Sequence, residues 1–341
     1  MHNFFLYEKN IIRQIKRRNR KTRAQNIQRN YREKKDITNR KELQQNYTSA
    51  VLPSEFIFEN IEKVLKFIND TYNKCKPSYI RHIFFQLDSV KNIDIYSICL
   101  LVSLINKLSH KTRCFGNYPN NKSNKKFLMD SGFLDIVRGG AKHNISHKYT
   151  NQLYMIGKNS VESRIIGESI KSSIEFLTGK KNHYPPVYDN MIEICANSVE
   201  HSNQNEIDKN WLVSITYEED NVHFLLTDTG EGILGTLAKK KKEMFRDKMV
   251  FKSDATVLEA VFKNGYQSRT GEINRHKGLP YVLETYKNSY ISDLLVLTNC
   301  VLYNFENGQS KILKNEFKGT MFSWKIYKKN IQTWKKKNCE L

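Results

Sequence analysis

The chain has 341 residues, 39% of them hydrophobic and 11% aromatic, enough apolar material for about two cores of ordinary size, which excludes a wholly disordered protein. Lys and Arg number 56 against 35 Asp and Glu, a formal charge of +21 that argues against a free metabolic enzyme and toward a polyanionic partner: nucleic acid, an acidic protein or an anionic surface. The longest strongly apolar run, Ile98 to Ile105, falls far short of the ~20 residues a membrane span needs, and the apolar start at Phe4 to Tyr7 runs straight into charge, so neither a span nor a secretory leader is expected and the chain reads as cytoplasmic.

Residues 1–50 form a basic arm, with 14 Lys and Arg against 4 Asp and Glu, densest from Arg13 to Lys41. Such a segment cannot bury a core; it is helical or disordered, and serves either as a solubilising leader or as an arm that orders on nucleic acid. In residues 51–140, Ile80 to Leu87 reads as a strand, Asp94 as a helix start, Ser97 to Leu108 as a buried helix and Arg113 to Tyr118 as a second strand. A short helix from Asn124 is stopped by Gly132. Strand, helix, strand, helix implies a small α/β unit with parallel strands. A polar connector follows, then a helix from about Ser160 to Leu177, and Pro185-Pro186 resets the chain. A second domain spans 141–327, and a Lys-rich tail, 328–341, closes the sequence. The six cysteines form no C-x-x-C pair and are expected to be reduced, buried thiols.

The runs Phe85-Gln86-Leu87-Asp88-Ser89-Val90, Ile93-Asp94 and Ser131-Gly132-Phe133-Leu134 resemble the STAS domains of anti-sigma-factor antagonists, over residues 51–140. That family's switch is a serine just after the aspartate. Here the turn reads Asp94-Ile95-Tyr96-Ser97, so the resemblance implies a docking scaffold and not a phosphoswitch.

The second domain carries four elements with chemistry in them. A helix over Pro186 to His201 places Asp189, Glu193 and Asn197 on one face. A carboxylate and an amide one turn apart suit magnesium, which takes oxygen ligands and keeps waters and substrate phosphates; a solvated polar face has the same pattern. The strand Val222 to Thr227 runs into Asp228-Thr229-Gly230-Glu231-Gly232. A carboxylate at a strand end can accept from an exocyclic amine, and Gly230 and Gly232 let backbone approach a flat ligand; a plain turn is the alternative. Lys277-Gly278-Leu279-Pro280 opens a helix through about Tyr286, offering backbone N–H groups and a lysine to an anion. Gly319-Thr320 begins a late strand whose Thr320 hydroxyl can support Asp228.

In this order, the four elements resemble the GHKL ATPases: gyrase B subunits, heat-shock chaperones, MutL-type repair proteins and histidine kinases. Glu193 to His201 looks like the N box, Asp228 to Gly232 like the first glycine box, His276 to Pro280 like a shortened second one, and Gly319-Thr320 like the closing motif. The resemblance covers about residues 155–327 and implies a Bergerat-type α/β sandwich that binds ATP and Mg2+. By it, Asp228 bonds the adenine amine with Thr320 beside the base, Gly230 and Gly232 line the base, Asn197 holds magnesium, and Glu193 orients or deprotonates the attacking water. Lys277, Gly278 and Leu279 meet the phosphates. The interval between the glycine boxes corresponds to a lid, within which Arg269 is placed to reach the γ-phosphate; the Lys239 to Lys242 run reads as a solvated face. His201 and His276 read as structural. Three functions follow: an ATP-gated conformational switch within a protein or nucleic-acid complex, acting with a protein partner or a second copy; a serine or histidine protein kinase of the anti-sigma-factor class; or a nucleic-acid-binding assembly module with a structural nucleotide site.

Overall fold

A computed structural model describes residues 46–137, 151–156, 163–200, 211–244, 253–264 and 278–339. The chain divides into two compact units, Met1–Ala141 and Lys142–Leu341. Both mix helix and strand.

In the first unit, β1 (Tyr47–Val51), β3 (His82–Gln86) and β5 (Arg113–Gly116) form a parallel sheet in the order β1-β3-β5. The parallel arrangement expected from the strand–helix alternation is what forms. Two short strands, β2 (Glu55–Phe56) and β4 (Asn92–Ile93), pair separately, also in parallel. The crossovers are α1 (Ile61–Lys74) and α2 (Ile95–Leu108), and the unit continues with α3 (Lys122–Asp130) and α4 (Phe133–Val137). Asp94 caps α2, accepting from the Ser97 N–H at 2.8 Å and from the Phe58 N–H at 2.6 Å. Helix α2 is buried on nearly every side because its sequence is apolar all round, as suits a helix with neighbours on every face. β1 starts at Tyr47, so the last residues read as part of the basic arm are sheet. The rest of that arm lies outside the described residues.

In the second unit, β6 (Gln152–Ile156), β7 (Trp211–Tyr217), β8 (Asn221–Asp228), β9 (Ser292–Asn304) and β10 (Gln309–Tyr327) form one sheet in the order β6-β7-β8-β10-β9, every neighbouring pair antiparallel. Its helices are α5 (Ser163–Thr178), α6 (Pro185–Glu200), α7 (Gly232–Met244), α8 (Asp254–Asn264), α9 (Gly278–Lys287) and α10 (Lys328–Cys339). One apolar cluster joins them to the sheet: Ile166, Ile170 and Ile174 of α5, Met191 and Ile194 of α6, Leu258 of α8 and Val282 of α9 meet Val213, Phe224, Leu226, Val296 and Trp324. The strand residues in that cluster are alternate ones, as a pleated strand requires. Their neighbours on the opposite face, among them Leu212, Leu225 and Met321, are buried too.

Three departures from the sequence reading have physical causes. β10 begins at Gln309, well before Gly319, because the polar stretch in between pairs with β9 at the sheet edge. The polar connector holds β6, whose alternation is short and easily lost among charges. The Lys-rich tail is helix α10, since Ile331 is buried and Trp334 packs edge-on against Tyr184 (ring centroids 5.5 Å apart), which the lysine count hides. Cys75, Cys99, Cys114 and Cys195 are buried and unbridged. Among the described residues no helix is long and apolar enough to cross a membrane.

Candidate functional site

Asp228 ends β8, and Thr320 of β10 is its direct partner across the ladder. Two backbone donors orient the carboxylate: the Gly230 N–H donates to Oδ1 at 2.8 Å and the Thr320 N–H to the same oxygen at 3.2 Å. Asp228 and Thr320, distant in sequence, thus stand side by side at one end of the sheet. Gly319 is needed for that approach. A Cβ there would strike the Asp228 carbonyl oxygen and sit 2.9 Å from Phe317 Cζ.

The turn after Asp228 is held from a direction the sequence reading missed. Gly232 has φ +75°, and a Cβ on it would collide with Asn299 Oδ1 and lie 2.8 Å from the Gly319 carbonyl. Asn299 itself has φ +51°, a conformation asparagine tolerates better than most residues. Its Oδ1 accepts from the Leu234 and Gly235 N–H groups at 3.1 and 3.2 Å, and its Nδ2 donates to the Glu231 carbonyl at 2.9 Å and to Glu316 Oε1 at 3.2 Å. The neighbouring Thr298 hydroxyl accepts from the Ile233 N–H at 2.9 Å and lies 3.3 Å from Thr320 Oγ1. The first N–H groups of α7 are therefore satisfied by Thr298 and Asn299, not left for an anion. The sequence signal was a Thr-Asn pair inside an apolar strand run, Leu295 to Val301, where a buried amide needs a reason.

Helix α6 lies against this end of the sheet. Burial, and after it the charge of Asp228, push the Cys195 thiol up, which places Cys195 within electrostatic reach of that carboxylate. Cys195 is fully buried in the core, so it is packing and not a metal ligand. Glu193 is half-buried two residues earlier; the backbone of Asn197 continues the same helix one turn on. Asp189 accepts from the Tyr281 hydroxyl of α9 at 3.1 Å, and the buried Asn190 has its Oδ1 3.3 Å from the Thr285 hydroxyl. These two contacts fix α9 beside α6. Gly278, the first residue of α9, is buried, and Leu279 packs against the core.

Of the ten residues singled out, then, Asp228, Gly230, Gly232 and Thr320 meet at one end of the sheet, Glu193 lies on the helix that reaches this end, and Gly278 and Leu279 open the helix docked to it. The side chain of Asn197, and Lys277 and Arg269, lie outside the described residues, as do His201 and His276. The α6 donors are a carboxylate and an amide, oxygen ligands that fit magnesium. Among the described residues no cluster of three His, Cys, Asp or Glu could hold a metal ion by itself.

Compared with known proteins, the chain matches no family model and no curated protein.

Proposed function

We propose that the second unit binds Mg·ATP between α6, the Asp228 turn and the start of α9, and that the protein is an ATP-gated conformational switch of the GHKL type. The observation that carries this reading is the pairing of Asp228 with Thr320 across the β8–β10 ladder, next to the helix that bears Glu193. A carboxylate whose plane is set by two backbone N–H groups is a pre-oriented acceptor for an exocyclic amine, and preorganisation lowers the cost of binding. Asn197 would hold magnesium, which supplies charge neutralisation at the phosphates. Glu193 would position or deprotonate the attacking water, and catalysis would be chiefly positioning and electrostatics. Nucleotide contacts that differ between ATP and its product would bias two conformations of the protein, and a partner or a second copy would read that bias.

Titration calorimetry with Mg·ATP tests the reading. Binding to the wild-type protein, weakened at least tenfold in Asp228→Asn, is the expected result. Glu193→Ala should keep binding and lose phosphate release. Label transferred onto protein instead of released as phosphate would replace the switch with a kinase, and a flat titration of the wild-type protein would sink both.

A further inference from the structure

The outward face of the β1-β3-β5 sheet is composed unlike an ordinary solvated surface. Alternate strand residues share a face, so the registers set Tyr47, His82 and Arg113 in one row, Ser49, Phe84 and Phe115 in the next, and Val51 and Gln86 in a third. The inward positions Ala50, Ile83, Phe85 and Cys114 are buried, and Phe85 meets Phe67 of α1. On the outward face Tyr47 is 47% and Val51 56% exposed, Arg113 is exposed, and the more central rings of His82, Phe84 and Phe115 are half-buried. The His82 ring lies nearly parallel to that of Phe115, with centroids 6.0 Å apart and planes at 15°. No Asp or Glu occupies any of these eight positions.

Positive charge borders the rings. Exposed Arg81 and Arg113 flank His82, and the Arg113 N–H donates to the Arg81 carbonyl at 2.8 Å. Burial, then the charges of Arg113 and Arg81, hold His82 below the ordinary imidazole range, so its ring is neutral near pH 7. The Asn46 carbonyl accepts from the Arg81 and His82 N–H groups at 2.9 and 3.0 Å. The segment with 14 Lys and Arg against 4 Asp and Glu therefore joins the sheet at its first aromatic row.

Flat rings on a sheet stack nucleobases, and adjacent guanidinium groups neutralise phosphates. A duplex hides its base faces and would use the charges alone. An apolar protein partner would use the rings and leave the charge without purpose. We propose that this face is a platform for single-stranded nucleic acid, DNA or RNA, with bases stacked on Phe115–His82, Phe84 and Tyr47 and phosphates met by Arg81 and Arg113. The assignment does not depend on nucleotide binding by the second unit.

Fluorescence anisotropy of the full chain with labelled dT12, rU12 and a 12-base-pair duplex tests it, each over a salt series. Both single strands are expected to bind at least tenfold more tightly than the duplex; a difference between them assigns the preferred sugar. Phe115→Leu and Phe84→Leu keep apolar volume and remove the ring, and each should weaken single-strand binding about tenfold with the salt slope unchanged. Arg113→Gln should lower the salt slope by about one. Photo-crosslinks from thio- or bromo-substituted oligonucleotides should map to Tyr47, His82, Phe84 or Phe115. Equal affinity for duplex, leucine variants that bind like wild type while remaining folded by circular dichroism, or crosslinks confined to residues 1–46 would each overturn the proposal. So would leucine variants that abolish self-association and leave oligonucleotide binding intact, which would make the face a subunit interface.

Discussion

Asn299 holds the turn that follows Asp228. It satisfies two N–H groups of α7, ties the Glu231 carbonyl, and fills the space that Gly232 leaves. Asn299→Ala removes the acceptor and places alanine at φ +51°, so it should cost about 2–3 kcal/mol in denaturant unfolding, from the lost cap and the unfavourable backbone together. Asn299→Asp keeps the acceptor and tolerates the conformation but sets an oxygen against the Glu231 carbonyl and Glu316 where the amide donated, so it should also destabilise, and less so at low pH where the carboxyl can donate. Gly232→Ala forces both a positive φ and a collision, and should lose at least as much as Asn299→Ala. The converse ranking, with Asn299→Ala near neutral, would mean the turn is held by something other than this amide. The glycines at 230 and 232 were legible in the sequence as a turn. What the sequence hid is that Gly232 is demanded by the protein's own asparagine, because the partner lies in another strand and only the β8–β10–β9 ladder brings it there.

At the scale of elements, α6 and α9 act as one body through Tyr281–Asp189 and Asn190–Thr285. Burial, and then the charge of Asp189, raise the Tyr281 hydroxyl well above its ordinary value, so it stays protonated and donates near neutral pH. Tyr281→Phe leaves a carboxylate without that donor and should destabilise the unit by about 1–2 kcal/mol. If the start of α9 meets phosphates, the same variant weakens Mg·ATP several-fold and leaves adenosine binding unchanged; parallel titrations with the two ligands separate these effects. Helix α6, strand β8 and helix α9 were readable because each joins a periodic apolar pattern to a start or stop signal: Pro at the head of α6, Asp at the end of β8, Gly at the head of α9. β6, the first half of β10 and helix α10 were not. Their apolar residues are few: β6 and α10 are recruited by elements far away in sequence, such as Tyr184 for Trp334, and the first half of β10 by its hairpin partner β9.

For the whole molecule, two compact units with separate cores and an uneven distribution of probes make stability testable unit by unit. All three tryptophans, Trp211, Trp324 and Trp334, belong to the second unit, so their fluorescence reports that unit, while far-ultraviolet dichroism reports both. Asp94→Ala removes the cap of α2 and the acceptor for the Phe58 N–H; it should shift a dichroism transition by about 1–3 kcal/mol and leave the tryptophan transition in place. His223 gives the opposite signature. It is buried on β8 with Nε2 2.8 Å from Ser323 Oγ, and Glu218, Lys325 and Asp293 are the charges it feels. Burial lowers its pKa from 6.5 to about 4, outweighing the raising effect of Glu218. The fold therefore holds the neutral ring, and the unfolded chain binds the proton first. Its contribution is complete above pH 6.5 and is lost as pH falls toward 4, on the order of 3 kcal/mol across that interval. His223→Gln keeps a polar partner for Ser323 and does not titrate. The tryptophan-detected stability of the variant should depend on pH less steeply than wild type between pH 6.5 and 4, with the two slopes equal above 7. Parallel profiles across that window would show that acid destabilises this unit through its carboxylates and not through the buried imidazole.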